Sequence, residues 1–311
     1  MRLSFPKPAI ALPALPTRLQ RPTVTVNIEG QAIRTMAVRG KSVISWAEAP
    51  LDAGVVREGI IADPQRAGEA LAAVLDSQGL AGGNVVACVT GFRSIARVLD
   101  LPKMSADLLE EAVTREAKRE MPVPMEDIHL SWQALDADDG MQRVFSLGVP
   151  RDVLDPLLKM MTVAKRLPSA VDIKPLALAR VCGEEEAIIG DVEPSSADII
   201  VVTKGIPVIM RTVMERGGES GGDEARIARF RDELARTLKF YNDTHRQEPL
   251  DPSTPIFFTG SLAEMVTAEP LQSLEAQEQY SVRPLSPPLD CPPELPAHTY
   301  AVNLGLALKE V

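Results

Sequence analysis

The residue types that usually announce chemistry are scarce in this chain. Cysteine occurs only at Cys88, Cys182 and Cys291, far apart and in no CxxC or Cys/His spacing, which argues against a disulfide framework or a structural zinc site. The three histidines, His129, His245 and His298, sit in no HExxH-like or triad-like signature and read as ordinary core or surface residues. Aromatic residues make up 4%, and 33 Lys and Arg face 43 Asp and Glu for a net charge of −10. Few rings to stack on bases and an acidic surface that repels phosphates exclude nucleic acid as the expected partner. No apolar run approaches the ~18 residues that a membrane-spanning helix needs. Near the start, Ala9-Ile10-Ala11-Leu12 is cut short by Pro13 and Pro16 and no cleavage site follows, so the reading is a soluble cytosolic protein.

Apolar residues, at 45% of 311, suffice for two ordinary cores. Proline is in surplus: of 26, eleven fall between Pro6 and Pro22 or between Pro284 and Pro296. Residues 1–22 carry Arg2, Lys7, Arg18 and Arg21 with no acid before Glu29. Their prolines favour an extended chain, so this stretch is expected to be a flexible basic arm, either a disordered leader or a tether near anionic lipid or an acidic partner.

From Thr23 the pattern becomes regular. Val24 to Ile28 and Ala32 to Val38 flank Glu29-Gly30 as a hairpin, and a third strand is expected near Ser42 to Trp46. Asp63-Pro64 is a helix start, and Ala67, Leu71, Val74 and Leu75 form its apolar stripe, ending at Gly79. Asn84 to Leu167 reads as an inserted β-β-α-β-β-α subdomain: strands over Val85 to Val89 and Ile95 to Leu101, a helix from Ser105 stopped by Pro122 and Pro124, strands over Ile128 to Leu135 and Arg143 to Val149, and a helix over Asp152 to Arg166. Asp138 and Asp139 beside Gly140 form turns more often than acid pairs.

After Cys182 the opening plan recurs. Ala187 to Val192, Ile199 to Val202 and Pro207 to Val213 are strands, and Asp223 to Tyr241 is a helix with Ile227, Phe230, Leu234, Leu238 and Tyr241 on one stripe. Gly217 to Gly222 is glycine-rich but lacks the Lys-Ser/Thr of a P-loop, and reads as a flexible connector. Ile256 to Ser261 is a buried strand with a glycine turn, and Tyr300 to Lys309 a closing helix.

Five segments in this order carry a resemblance: Leu101 to Met104 with Glu116-Ala117; Met121-Pro122-Val123-Pro124; Val171-Asp172-Ile173-Lys174-Pro175-Leu176-Ala177-Leu178-Ala179-Arg180; Glu233 to Tyr241; and Ala301-Val302-Asn303-Leu304-Gly305-Leu306-Ala307. Together the chain resembles the PilM family, the actin-like component of type IV pilus assembly, related in fold to FtsA. The resemblance implies an α/β, actin-like two-domain fold of two RNase H-like halves. Residues 23–83, completed by 168–185 and the closing helix, form the first half. Residues 84–167 are the insertion, and 186–311 the second half.

The resemblance also implies a nucleotide cleft gripped by two hairpin turns and an adenosine turn. Phosphate contact needs glycine, whose backbone N–H groups approach closely, and an acid that holds magnesium through water. The aligned positions here are Asn27, Glu29 and Gly30 in the first turn, Asp191, Ser195 and Ser196 in the second, and Gly260 and Ser261 in the third. Asp191 is the expected metal ligand if Mg-ATP binds. Yet Glu29 and Glu193 stand where glycine belongs, and Pro194 lacks an N–H donor. A carboxylate about 4 Å from a phosphate charge costs roughly 1 to 4 kcal/mol, so ATP and magnesium, the ligands such a fold admits, are expected to bind weakly or not at all. No catalytic residue is assigned.

The partner implied is the cytoplasmic N-terminal peptide of a PilN-like inner-membrane protein, lodged between the first half and its insertion. The chain would then be a cytoplasmic scaffold at the inner face of the cytoplasmic membrane, in reach of pilus motor components and of further copies of itself. The alternatives are a working actin-like ATPase and the equivalent component of a type II secretion or competence system.

Overall fold

The computed structural model describes residues 21–80, 82–138, 140–214, 222–267 and 280–310. Most of the proline-rich arm, Asp139 of the hairpin turn and Gly217 to Gly221 of the connector lie outside these.

The first sheet is built from β1 (Thr23–Glu29), β2 (Ala32–Arg39), β3 (Ser42–Pro50), β6 (Asn84–Val89) and β10 (Ala170–Ile173), in the order β10-β6-β1-β2-β3. Strands β1, β2 and β3 pair antiparallel, whereas β6 and β10 add on in parallel. The second sheet repeats this plan with β11 (Ala187–Val192), β12 (Ser196–Thr203), β13 (Ile206–Met214), β14 (Pro255–Thr259) and β15 (Ser281–Val282), in the order β13-β12-β11-β14-β15. A short ribbon, β4 (Val56–Arg57) with β5 (Ile60–Ile61), precedes helix α1 (Pro64–Ser77). Asp63 caps α1 by accepting from the Arg66 N–H at 3.1 Å, and Pro64 fills the first turn, where no N–H is needed.

Period-two alternation makes the layers. Val85, Ala87 and Val89 of β6 face α1 and α3 (Arg151–Val163), while Val86 and Cys88 face the other way. In the second sheet Ile188, Ile199 and Val201 face α5 (Gly222–Thr244), and Ile189, Ile200 and Val202 face inward. Between the two sheets lie α4 (Lys174–Cys182) and α7 (Ala301–Ala307), so one core, with Leu178, Val181, Leu304 and Leu306, is shared by both halves. The helix between β14 and β15 is α6 (Ala263–Thr267).

The expected six-element insertion is divided. Strand β6 lies inside the first sheet between β1 and β10, and α3 packs on α1. The run Val85-Val86-Ala87-Cys88-Val89 has no polar alternation because both its faces are covered, as a central parallel strand requires. What remains is a three-stranded sheet, β7 (Ile95–Pro102), β9 (Met141–Pro150) and β8 (Ile128–Asp138), with α2 (Ala106–Glu120) on one face. Leu99, Leu101 and Val144 pack on Leu109, Ala112 and Val113 of α2, and Phe145, Leu147 and Val149 of β9 join the core of the first half. Strand β3 also runs four residues past the expected end, to Pro50.

The tightest helix contact is α4 on α7. A Cβ at Gly305 would lie 1.9 Å from the Ala177 carbonyl oxygen, so only glycine lets the backbones meet. Gly305→Ala is therefore expected to cost about 3 kcal/mol, read as a lower urea midpoint. Gly82→Ala, where an added Cβ meets nothing within 4 Å, is the control and should leave the midpoint in place.

Candidate functional site

The cleft between the halves is closed by the turn of the β1–β2 hairpin facing the turn of the β11–β12 hairpin. Gly30 takes a left-handed φ of 56°, and a Cβ there would stand 2.9 Å from Ser195 Oγ. The two turns expected to embrace a triphosphate are thus in contact. Glu29, Gly30, Ser195 and Ser196 line one cavity with Lys174 and Asp198, and its volume is about 10 Å³. That is room for about one water, where a small-molecule pocket has roughly 300–1,000 Å³.

What fills the cleft is a lysine. Strand β10 ends at Ile173 and α4 begins at Lys174, which directs its side chain across the gap while only 1% of the residue is exposed. Its Nζ lies 2.7 Å from Glu29 Oε2, 2.6 Å from Asp191 Oδ2 and 2.8 Å from Asp198 Oδ2. The second oxygen of each carboxylate is engaged too. Thr259 Oγ1 donates to Asp191 at 2.6 Å, Thr212 Oγ1 donates to Asp198, and Ser196 Oγ stands 3.5 Å from Glu29 Oε1.

A second ion pair crosses beside it. Arg34 of β2 holds Glu193 through both terminal nitrogens, at 2.5 and 3.2 Å, and donates from Nε to Glu48 at 2.7 Å and from Nη1 to the Thr299 carbonyl at 3.2 Å. Ser261 Oγ donates to Glu193 at 2.6 Å. Gly260 is pressed against the Val192 backbone, where a Cβ would meet the carbonyl oxygen at 2.3 Å, and its N–H donates to the His298 carbonyl at 2.9 Å. Asn27 is buried two residues before Glu29, and its Nδ2 has no hydrogen-bond partner.

Burial pushes the Glu29 carboxyl up to about 7; Lys174 pulls it down, and Glu193, Asp191 and Asp198 push it further up. Burial also works against the charge on Lys174, but Asp191, Asp198 and Glu29 outweigh it and hold the ammonium protonated well above its ordinary range. For Arg34, burial opposes the charge and Glu193 and Glu48 restore it. Glu29, Asp191 and Glu193 offer oxygens within 4.8 Å of one another, and the cations among them are the chain's own.

All the expected turn residues therefore gather at one place, but their partners, Lys174, Arg34, Asp198 and Thr212, are not visible as site residues in the sequence. A signal exists. Arg34 in Ala32 to Val38, Asp198 in Ser196 to Val202 and Lys174 beside Ile173 and Pro175 are single charges in otherwise apolar or buried segments. Such charges must be paired, although nothing local tells with what.

The raised carboxyl gives a pH dependence with a definite sign. Glu29 moves from 4.5 to about 7 on folding, so its contribution is full below pH ~4.5 and is lost as pH rises through ~7. Glu29→Gln, which mimics the protonated form, should flatten the fall in urea-unfolding free energy between about pH 5 and 8. A wild-type stability that is level over this range would refute the assignment.

No family model and no curated protein matches the chain. Solved structures do. A PilM–PilN type IV pilus biogenesis complex aligns with a TM-score of 0.74 at 21% identity, over 92% of this chain and 97% of that one. The ethanolamine utilization protein EutJ from Carboxydothermus hydrogenoformans aligns at 0.53 and 14% identity, over 97% and 93%. The cytoplasmic domain of EpsL, an inner membrane component of the type II secretion system of Vibrio cholerae, aligns at 0.51 and 14% identity, over 93% and 96%. With two like-ordered sheets and a cleft between them, the chain has the two-domain α/β fold of the actin-like proteins and is PilM-like in its architecture.

Proposed function

We propose that this chain is a cytoplasmic adaptor of type IV pilus assembly that binds the N-terminal cytoplasmic peptide of a PilN-like inner-membrane protein and uses no nucleotide. The observation that carries the second clause is Lys174 Nζ within 2.8 Å of carboxylates from both halves. Buried acids at Glu29 and Glu193, no proton on Pro194 nitrogen and a cavity of about 10 Å³ do not fit a triphosphate with its magnesium. The chain's own residues hold protons and charges here, and no reaction step is assigned to them.

The first clause is supported by likeness to the PilM of a PilM–PilN complex at a TM-score of 0.74 and by a surface suited to an extended peptide. Docking beside a strand needs a free backbone edge and apolar flanks. Among the described residues β7 and β8 each pair on one side only, to β9, and Ile95, Leu130 and Trp132 are half-buried there. No helix among the described residues is long and apolar enough to cross a membrane, so the proposed place at the membrane depends on the partner. The EpsL likeness keeps a type II secretion component as the second reading.

Calorimetric titration with the cytoplasmic peptide of a PilN-like protein should give saturable one-site binding. A flat titration against pilus peptides, with binding to the corresponding secretion-system peptide, would favour the second reading. Mg-ATP should leave the melting temperature unchanged, whereas a concentration-dependent rise or steady phosphate release would restore the nucleotide function.

A further inference from the structure

We infer that Lys174 is the resident cation of this cleft, doing between the carboxylates of the two halves what a divalent metal ion would do, and that it locks the halves together without nucleotide. The inference deepens the no-nucleotide part of the proposed function and is independent of the peptide partner.

The geometry is that of a liganded site. Lys174 Nζ forms ion pairs with three carboxylate oxygens at 2.6 to 2.8 Å. Glu29 comes from the first half and Asp191 and Asp198 from the second, so the contact spans the cleft. Hydroxyls of Thr259 and Thr212 take the remaining oxygens of the two aspartates, which fixes the carboxylates in place. Beside it, Arg34 and Glu193 make a second crossing. Three buried carboxylates converging on one point are also the hard oxygen donors that calcium, magnesium and manganese select. In this chain the ammonium occupies that point, and the site takes a metal ion only if the ammonium is removed.

The test is to remove the ammonium and supply the ion. In EDTA, Lys174→Ala should melt roughly 5–10 °C below wild type, since it leaves buried acids uncompensated. Titrating CaCl2 or MgCl2 alone into the variant should recover at least half of that loss and leave wild type unmoved. Lys174→Met, which keeps much of the stem's packing, should lose stability in the same way, separating charge from volume. A Lys174→Ala variant that melts like wild type, or one that ignores metal ions, overturns the inference. Should it fail to fold under either condition, the triple variant Lys174→Ala/Asp191→Asn/Asp198→Asn, stripped of the excess charge, must fold and melt cooperatively; if it does not, the inference falls. Peptide titration on the same samples separates the two claims. Metal rescue of Lys174→Ala with no peptide bound by any form would remove the adaptor and leave the cation in place.

Discussion

The arrangement of this molecule depends on one buried ammonium. Moving a charge of this size out of water costs several kcal/mol, offset only by close, well-oriented counter-charges. Lys174 cannot reach solvent, because it opens a helix that lies between two sheets. It also sits at a helix N-terminus, where the backbone dipole disfavours a cation. Its acids must therefore come to it from both halves, and they do so only when the two hairpin turns touch. Neighbouring charges obey the same constraint. Asp172, two residues earlier and buried, is paired with Arg180 at 2.9 Å and lies 3.3 Å from Lys309 Nζ.

That constraint changes what the fold can do. A cleft whose turns stood apart would leave the distance between its halves to be set by a ligand. Here the distance is set by contacts within the chain, including a bidentate Arg34–Glu193 pair and a core shared across both sheets. On the proposed reading these contacts hold the molecule in one arrangement, and its work moves to the outside, to surfaces such as the open edges of the small sheet. An adaptor gains from this: a peptide site on a rigid platform loses little conformational entropy on binding.

Much of the fold was legible because it rests on local rules. The repeated strand plan, the Asp63-Pro64 start of α1 and the stripe of α5 each follow from spacing and capping. The unbroken apolar run of β6 fits a central strand, but β6 adjoins β7 in sequence, and nothing local separates the first sheet from the insertion. The site was legible by half. The turns carry their own signatures, whereas the pairing of Lys174 with Glu29, or of Arg34 with Glu193, joins residues 145 and 159 positions apart. Side-chain charges at such separations are paired by topology, which a single sequence shows only after the halves have been folded against each other.

The acids at the two turns acquire a different meaning from this pairing. As sequence, Glu29 and Glu193 are groups that would repel phosphate. In the structure each is the counter-charge of a buried cation, Lys174 and Arg34. On the proposed reading, repulsion alone would make the loss of a nucleotide site easy to reverse by returning glycine at both turns. Pairing does not allow this, because glycine at residue 29 or 193 would remove a counter-charge from a cation that is 1% or 5% exposed, and breaking such a pair costs about 3–5 kcal/mol. The four residues are coupled, so the acids and the bases must change together. The closed cleft is thus held by mutual dependence rather than by the absence of phosphate-binding residues.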